Sequence, residues 1–288
     1  MPSDFSGLAG RDEQNKEANM KLTALTLIAF GLFTGMRLPA EEPQAAKETP
    51  SVTQPALTLE AQCAAPFGDN AVFQQGIPLP VWGTSLPGAK VTVSFDKQTK
   101  TTVVGKDGKW KVTLDPLSAD KLTSVNMAPE GKTLSITSEL GQEKAGKNFK
   151  NILCGEVWLA SGQSNMAAKF GRSPYPKDST AKANYPALRN QEGATWTIST
   201  PQTVGNFSRV AFSFARKLQE ELMVPVGILS ASVSGTQIES WMEHPPAAIK
   251  RPNPKVIGPH DGGVHYEARI APLVGYGMRG AIWYQGEA

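Results

Sequence analysis

The sequence predicts an α/β fold in which a parallel-sheet domain is preceded by a small all-β sandwich. Before about residue 148, short runs with period-two alternation are separated by turn residues such as Pro87-Gly88 and Asp107-Gly108, which is typical of sandwiches. From Asn151 onward, continuous apolar runs alternate with a helical pattern, as expected for a parallel sheet covered by helices. The 288 residues are enough for two such domains.

The all-β region is predicted to span 57–148. Lys90–Phe95 alternates cleanly between polar and apolar residues, and Trp82 and Trp110 fall at apolar positions. These tryptophans therefore read as core residues rather than as platforms for sugar stacking. We place the strands at Ala71–Gln75, Leu79–Gly83, Lys90–Phe95, Thr101–Val104, Lys109–Leu114 and Thr133–Thr137.

The α/β region is predicted to span 149–288. Its strands are expected at Ile152–Ala160, Val226–Ala231 and Ala281–Tyr284. A helix is expected over Ser208–Leu222, because four apolar residues fall on one helical face, Ser208 can cap the start and Pro225 follows the end; the four are Val210, Phe214, Leu218 and Leu222. The proline-containing stretch 170–200 is predicted to be rich in loops.

The N-terminal segment indicates export. Lys21 precedes the apolar run Leu22–Met36, which is too short to span a bilayer and leads to Ala40 and an acidic stretch. We therefore predict a signal peptide at 20–40, a linker at 41–56 and a secreted or periplasmic protein. Met20 is then the expected start, and 1–19 an extension not native to the protein.

The overall composition excludes several classes of function. A net charge of +3, with basic residues spread along the chain, argues against a nucleic-acid partner or, after signal cleavage, a membrane partner. Two cysteines and three histidines give no metal-ligand spacing, so we expect no metal and no cofactor. A disulfide between Cys63 and Cys154 is left open.

Three predicted strands end in polar, glycine-containing segments. Ser161-Gly-Gln-Ser164 follows the first, Ser234-Gly-Thr236 the second, and Gln285-Gly-Glu287 the third. Because the carboxyl ends of parallel strands meet at one edge, these segments are expected to share one crevice. Ser164 is placed like a hydrolase nucleophile, although a serine that merely caps a helix is the commoner case.

In combination, the motifs resemble the sialate O-acetylesterase family of SGNH hydrolases, with a flavodoxin-like parallel sheet. They are Gly-Glu-Val-Trp-Leu-Ala-Ser-Gly-Gln-Ser-Asn-Met at 155–166, Val-Pro-Val-Gly-Ile-Leu at 224–229, Ser-Gly-Thr-Gln-Ile-Glu-Ser-Trp-Met at 234–242, Ile-Ala-Pro-Leu at 270–273 and Arg-Gly-Ala-Ile-Trp-Tyr-Gln-Gly-Glu at 279–287. In the preceding region, Asp-Asn-Ala-Val-Phe-Gln-Gln-Gly at 69–76 and Pro-Val-Trp-Gly at 80–83 are similar to that family's N-terminal module.

The resemblance implies hydrolysis of acetyl esters on a carbohydrate substrate through an acyl-enzyme. Ser164 would be the nucleophile, and the backbone N–H groups of Ser164 and Gly235 would form the oxyanion hole together with the side chain of Gln285. Glu287 would either orient the catalytic histidine or bond the active-site loop. The acetylated sugar, whether a sialic acid or a plant or algal polysaccharide, stays open, as does the oligomeric state.

The family's histidine, usually in an Asp-x-x-His segment, lies downstream of the Gln-Gly-Glu tag, beyond Ala288. We therefore expect this chain to be incomplete, as a fragment or truncated product, with little or no esterase activity. Among its own histidines, His260 beside Asp261 is a weak candidate for the base, and His244 and His265 lie in segments not expected to supply it. The alternatives are a secreted glycan-binding pseudoenzyme and a structural β-protein, which Ser164→Ala binding and turnover assays would separate. A lipase-like hydrolase on the same fold is a further alternative, although the sequence shows no obvious acyl-chain lid.

Overall fold

The computed structural model describes residues 57–172, 179–246 and 261–286, which fall within one compact unit, Gln54–Ala288. The predicted extension, signal peptide and linker lie outside the described residues. The strands are β1 (Gln62–Cys63), β2 (Val72–Gln74), β3 (Leu79–Thr84), β4 (Lys90–Phe95), β5 (Gln98–Val103), β6 (Lys109–Leu114), β7 (Lys132–Leu140), β8 (Glu143–Gly162), β9 (Tyr185–Glu192), β10 (Thr195–Ser199), β11 (Val226–Ser232) and β12 (Gly280–Tyr284). The α-helices are α1 (Ser164–Ala167) and α2 (Arg209–Leu222).

The first part of the chain forms two antiparallel groups of strands that share a core. β1, β3 and β6 make a three-stranded sheet, while β5, β4 and β7 lead into β8. Alternate residues of β4 and β6 are buried, so the strands confirm the predicted period-two pattern. Trp110 is 3% exposed and belongs to this core, and Trp82 packs against it with its ring 4.9 Å from that of Phe67.

Strand β8 connects the two regions that the sequence distinguishes. Its first half pairs antiparallel with β7, and its second half pairs parallel with β11 and β12. The boundary predicted at 148/149 lies inside this 20-residue strand. Leu229 of β11 lies in the same buried cluster as Phe95 and Leu134. A separate sandwich domain thus stays a prediction.

The second half of β8 is an inner strand of the sheet that carries the predicted site. The order there is β10-β9-β11-β8, with β12 also paired to β8. β9, β11, β8 and β12 run parallel, whereas β10 is antiparallel to β9. The predicted α/β class is confirmed, as a large mixed sheet.

The loop predicted for 170–200 is wrong, because β9 and β10 form a hairpin there. The signal was hidden by polar residues that are buried in β9: Arg189, Asn190 and Gln191 are all at most 6% exposed. Arg189 is retained in the interior by bonding the Asn151 carbonyl and, at 3.2 Å, the Asn151 side-chain oxygen. A buried strand whose polar side chains are hydrogen-bonded lacks the apolar run by which buried strands are recognised in a sequence.

Helix α2 is confirmed, but the face predicted for burial is only partly right. Ser208 caps it by accepting a hydrogen bond from the Ala211 N–H at 3.2 Å. The fully buried side chains lie along a shifted face, whereas Leu222 is 45% exposed. The buried residues of α2 are Ala211, Phe212, Ala215 and Gln219, and the first three belong to one cluster with Leu188 of β9 and Ile228 of β11.

Candidate active site at three strand ends

Ser164 lies immediately after β8, at the first position of the short helix α1. The N-cap is Gln163, without a side-chain cap bond, so the interpretation of Ser164 as a capping serine is wrong. The residue is exposed. A sharp turn at Gly162, with φ of +132°, leads the chain from the buried strand to this serine.

Gly162 is required by the close approach of β12. A Cβ atom at this position would lie 2.0 Å from the carbonyl oxygen of Tyr284. The adjoining Gln163 N–H donates to that same oxygen at 3.0 Å, and the Val233 N–H donates to the Gly162 oxygen at 3.2 Å. Direct backbone bonds therefore bring together the ends of β8, β11 and β12, as the sequence predicts.

Gly235 lies in the turn that follows β11. It has φ of +73°, and no heavy atom lies within 4 Å of where a Cβ would be. The turn is supported by the Thr236 hydroxyl, which donates to the Val233 oxygen at 2.9 Å and accepts from the indole N–H of Trp241 at 2.9 Å. The space at the Cβ position of Gly235 is therefore unobstructed, while the hydrogen bonds of Thr236 stabilise the rest of the turn.

Gln285 reaches the same turn from the end of β12. Its Nε2 donates to the Thr236 carbonyl at 2.8 Å, and its Oε1 accepts from the Trp283 indole N–H at 2.9 Å. These two bonds distinguish the two ends of the amide and fix its orientation. The second hydrogen on Nε2 remains as a donor.

The tryptophans that support this arrangement were not predicted as part of the site. Trp283 meets Trp241 edge to face, with ring centroids 5.7 Å apart, and each donates a hydrogen bond to a residue at a strand end. Their signal in the sequence is position alone: one lies within β12 and the other shortly after β11. Arg209 was likewise missed; it donates to Asn165 Oδ1 at 3.2 Å and so ties α2 to the residue after Ser164.

Of Glu287 and the three histidines considered as the base, only two histidines are among the described residues. Glu287 and His260 lie outside the described residues. His244 is exposed, whereas His265 is 9% exposed, with its ring 4.9 Å from that of Trp241. The structure thus places His265 beside a tryptophan that supports the site.

An ion pair anchors the start of β12 to β8. Arg279 donates to both carboxylate oxygens of Glu156, at 2.9 and 3.1 Å, and Gln75 donates to the same carboxylate at 2.7 Å. Burial alone raises the pKa of Glu156, but the bonds from Arg279 and Gln75 outweigh it and hold that pKa below its ordinary value. The charged form therefore stabilises the pairing that carries Gln285.

Cys63 and Cys154 are both free thiols, so the disulfide left open by the sequence is not formed. Burial raises the pKa of each thiol to about 12. At neutral pH both are protonated, and neither is suited to act as a nucleophile.

Within the described ranges, no group of three or more His, Cys, Asp or Glu residues is placed to hold a metal. No helix of that same part of the chain is long and apolar enough to cross a bilayer. Two cavities, of about 390 and 260 Å³, lie on the α2 side of the sheet, and neither is lined by Ser164, Gly235 or Gln285. Ser164 and Gly235 are instead exposed, and Gln285 is partly exposed.

Comparisons with known proteins identify a matching family and several relatives. Residues 154–288 match the model of a family described as carbohydrate esterase, sialic acid-specific acetylesterase. The sialate O-acetylesterase of Homo sapiens is 28% identical over 72% of this chain and 45% of its own length. That of Mus musculus is 27% identical over 78% of this chain and 51% of its own length.

A solved structure of a carbohydrate acetylesterase from Xanthomonas citri matches 79% of this chain and 52% of its own, with 30% identity and a TM-score of 0.67. The chain thus spans about half the length of the curated relatives it matches. The resemblance to the sialate O-acetylesterases that the motifs indicate is confirmed, and the match to the family of sialic acid-specific carbohydrate esterases covers residues 154–288.

Proposed function

We propose that the chain carries the nucleophile and oxyanion hole of a carbohydrate O-acetylesterase. The observation that supports this most directly is the hydrogen bond from Gln285 Nε2 to the Thr236 carbonyl, at 2.8 Å. It joins Gln285, at the end of β12, to the residue that follows Gly235 in the turn after β11. The Gln163–Tyr284 backbone bond brings Ser164 to the same place.

In the proposed reaction, Ser164 Oγ attacks the acetyl carbonyl carbon and transfers its proton to a base. The tetrahedral oxyanion accepts from the N–H groups of Ser164 and Gly235 and from the remaining Nε2–H of Gln285. Collapse releases the sugar as an alcohol, which takes up a proton, and leaves acetyl-Ser164. Water then attacks this ester, and acetate leaves.

Two further features support an SGNH-type sheet. In the order β9-β11-β8-β12, β8 lies between two strands that come later in the chain, β11 on one side and β12 on the other, as the first strand does in flavodoxin-like sheets. In such sheets, ligands bind at the carboxyl ends where successive strands depart to opposite sides. Ser164 and Gln285 follow β8 and β12 at that point. We also propose that the β-region is an accessory sandwich domain and that the protein is exported.

A histidine is proposed as the base, and the expectation of weak turnover by this chain alone stands with it. We assign the role to no described residue. His265 is excluded from the proposal because its ring packs on Trp241, and His244 because it lies in an exposed loop.

The test is acetate release from an O-acetylated sialic acid and an O-acetylated xylo-oligosaccharide. It is run on this chain and on any longer in-frame product of its locus. Ser164→Ala is expected to lower kcat at least about a thousandfold in whichever form turns over. Ser118→Ala, an exposed serine of the β-region, is the control. Turnover that survives Ser164→Ala, or no acetate from either form, contradicts the proposal.

A further inference from the structure

A polar groove lies beside the predicted site, on the face of the sheet that α2 covers. It has a volume of about 390 Å³ and lies between the β9–β10 hairpin and the segment 202–207. Asn190 and Glu192 of β9 pair with Thr197 and Thr195 of β10, so these four side chains share one face. The groove is lined by Asn190, Glu192, Thr195, Thr197, Gln202, Thr203, Asn206 and Phe207.

The groove opens at the same edge of the sheet as Ser164. β9 runs parallel to β11, and β11 to β8, so Glu192 lies at a carboxyl end like Ser164. Two strand spacings, about 10 Å, separate β9 from β8. Lys169, five residues after Ser164, forms an ion pair with Glu192 at 3.6 Å. The segment that carries the nucleophile therefore also borders the groove.

The lining is suited to neutral hydroxyl groups. Thr195, Thr197, Gln202 and Asn206 make no side-chain hydrogen bond within the described part of the chain. The Asn190 Oδ1 accepts from the Ser230 hydroxyl at 2.6 Å, which leaves its NH₂ group to donate to a ligand. Amides and hydroxyls both donate and accept, as sugar hydroxyls require.

The charge of the lining discriminates between sugars. Among the described lining residues only Glu192 is charged, and it is already paired with Lys169, at 3.6 Å, on the border of the groove. An anionic sugar would meet no Lys, Arg or His in this lining and would have to compete with Glu192 for Lys169. A neutral sugar needs no such partner.

We propose that this groove is a subsite for a neutral sugar unit. It would hold a part of the carbohydrate about 10 Å from the acetyl group that Ser164 attacks, given the strand spacing. The inference extends the proposed function, because the groove matters for catalysis only if Ser164 acts there. It favours neutral acetylated oligosaccharides over free sialic acid as substrates.

The experiment measures binding, so that it does not depend on turnover. Titration calorimetry with xylotriose, cellotriose and mannotriose, and with 3′-sialyllactose as the anionic comparison, is carried out on the Ser164→Ala chain. We expect at least one neutral trisaccharide to bind more tightly than sialyllactose. Binding of a neutral trisaccharide by the Ser164→Ala chain would support the groove whether or not the esterase proposal holds, because no turnover is measured.

Two matched pairs of variants locate the binding. Thr195→Trp fills the groove from an exposed position on an edge strand, and Thr101→Trp is the equivalent change on edge strand β5. Gln202→Ala with Asn206→Ala removes exposed polar groups, and Gln142→Ala does so in the β7–β8 turn.

The groove variants should each raise the Kd for the neutral trisaccharide about tenfold or more, and the controls should raise it less than twofold. Melting temperatures of each pair are compared to exclude unfolding. The proposal is overturned if no neutral trisaccharide binds, if sialyllactose binds most tightly, or if groove and control variants have equal effects.

Discussion

Replacing Gly162 by alanine should damage both stability and the site. The added Cβ would lie 2.0 Å from the Tyr284 oxygen and 2.6 Å from its carbonyl carbon, whereas carbon atoms pack best at about 3.5–4.0 Å. Both obstacles are backbone atoms of the neighbouring strand, so no side-chain rotation relieves the contact. The φ of +132° adds strain, typically about 1–3 kcal/mol.

The magnitude follows from these two terms. Strain and clash together should lower the free energy of unfolding by at least about 3 kcal/mol. With a urea m-value of about 2–3 kcal/mol/M, the midpoint falls by about 1–1.5 M. Equilibrium urea unfolding followed by tryptophan fluorescence measures it.

Gly141→Ala is the matched control. This glycine has φ of +60°, and no atom lies within 4 Å of its Cβ position, so alanine there brings strain without a clash. A midpoint for Gly162→Ala that falls no further than that of Gly141→Ala would refute the argument that β12 closes over Gly162. In that case the geometry of the turn at Gly162 would need another explanation.

Three further outcomes are expected. Gln285→Ala should lower kcat for acetyl release by about 10²–10³-fold in a form that turns over, since one oxyanion donor is lost; unchanged kcat would remove it from the hole. Glu156→Gln should lower the free energy of unfolding at pH 7 and make that free energy depend less on pH in acid. The reason is that a carboxyl whose folded pKa is depressed gives stability that is present above its ordinary pKa of 4.5 and is lost as the pH falls through the folded pKa. Identical urea midpoints at pH 7 and pH 4 in both proteins would contradict this. Cys63 and Cys154, with pKa raised to about 12 by burial, should resist iodoacetamide at pH 8 until urea is added, and rapid labelling of the folded chain would show them to be exposed.

The sequence predicted the elements whose burial follows a simple period. β4 and β6 alternate strictly, and α2 begins at a serine cap, so their positions were accessible from residue type alone. β9 was missed because it buries polar residues, two of which bond distant partners: Arg189 bonds Asn151, and Asn190 bonds Ser230. Such pairing across 38 positions has no local signal.

The site was predictable to the level of strand ends. Polar, glycine-containing segments after apolar strands placed Ser164, Gly235 and Gln285 at one edge. The bond from Gln285 to Thr236 joins residues 49 positions apart, and Trp283 and Trp241 meet through the fold rather than through spacing. Only the packed structure shows that Gln285 Nε2 bonds the Thr236 carbonyl.

The continuity of β8 limits how this protein can be dissected. Cutting at 148/149 would sever β8 after its first six residues, so a fragment beginning at 149 would lose most of the pairing with β7. The freed end would be an unpaired strand terminus, prone to pair with other chains. A fragment beginning at 149 should therefore aggregate, whereas one beginning near residue 57 keeps the β7–β8 hairpin that supports the strand leading to Ser164.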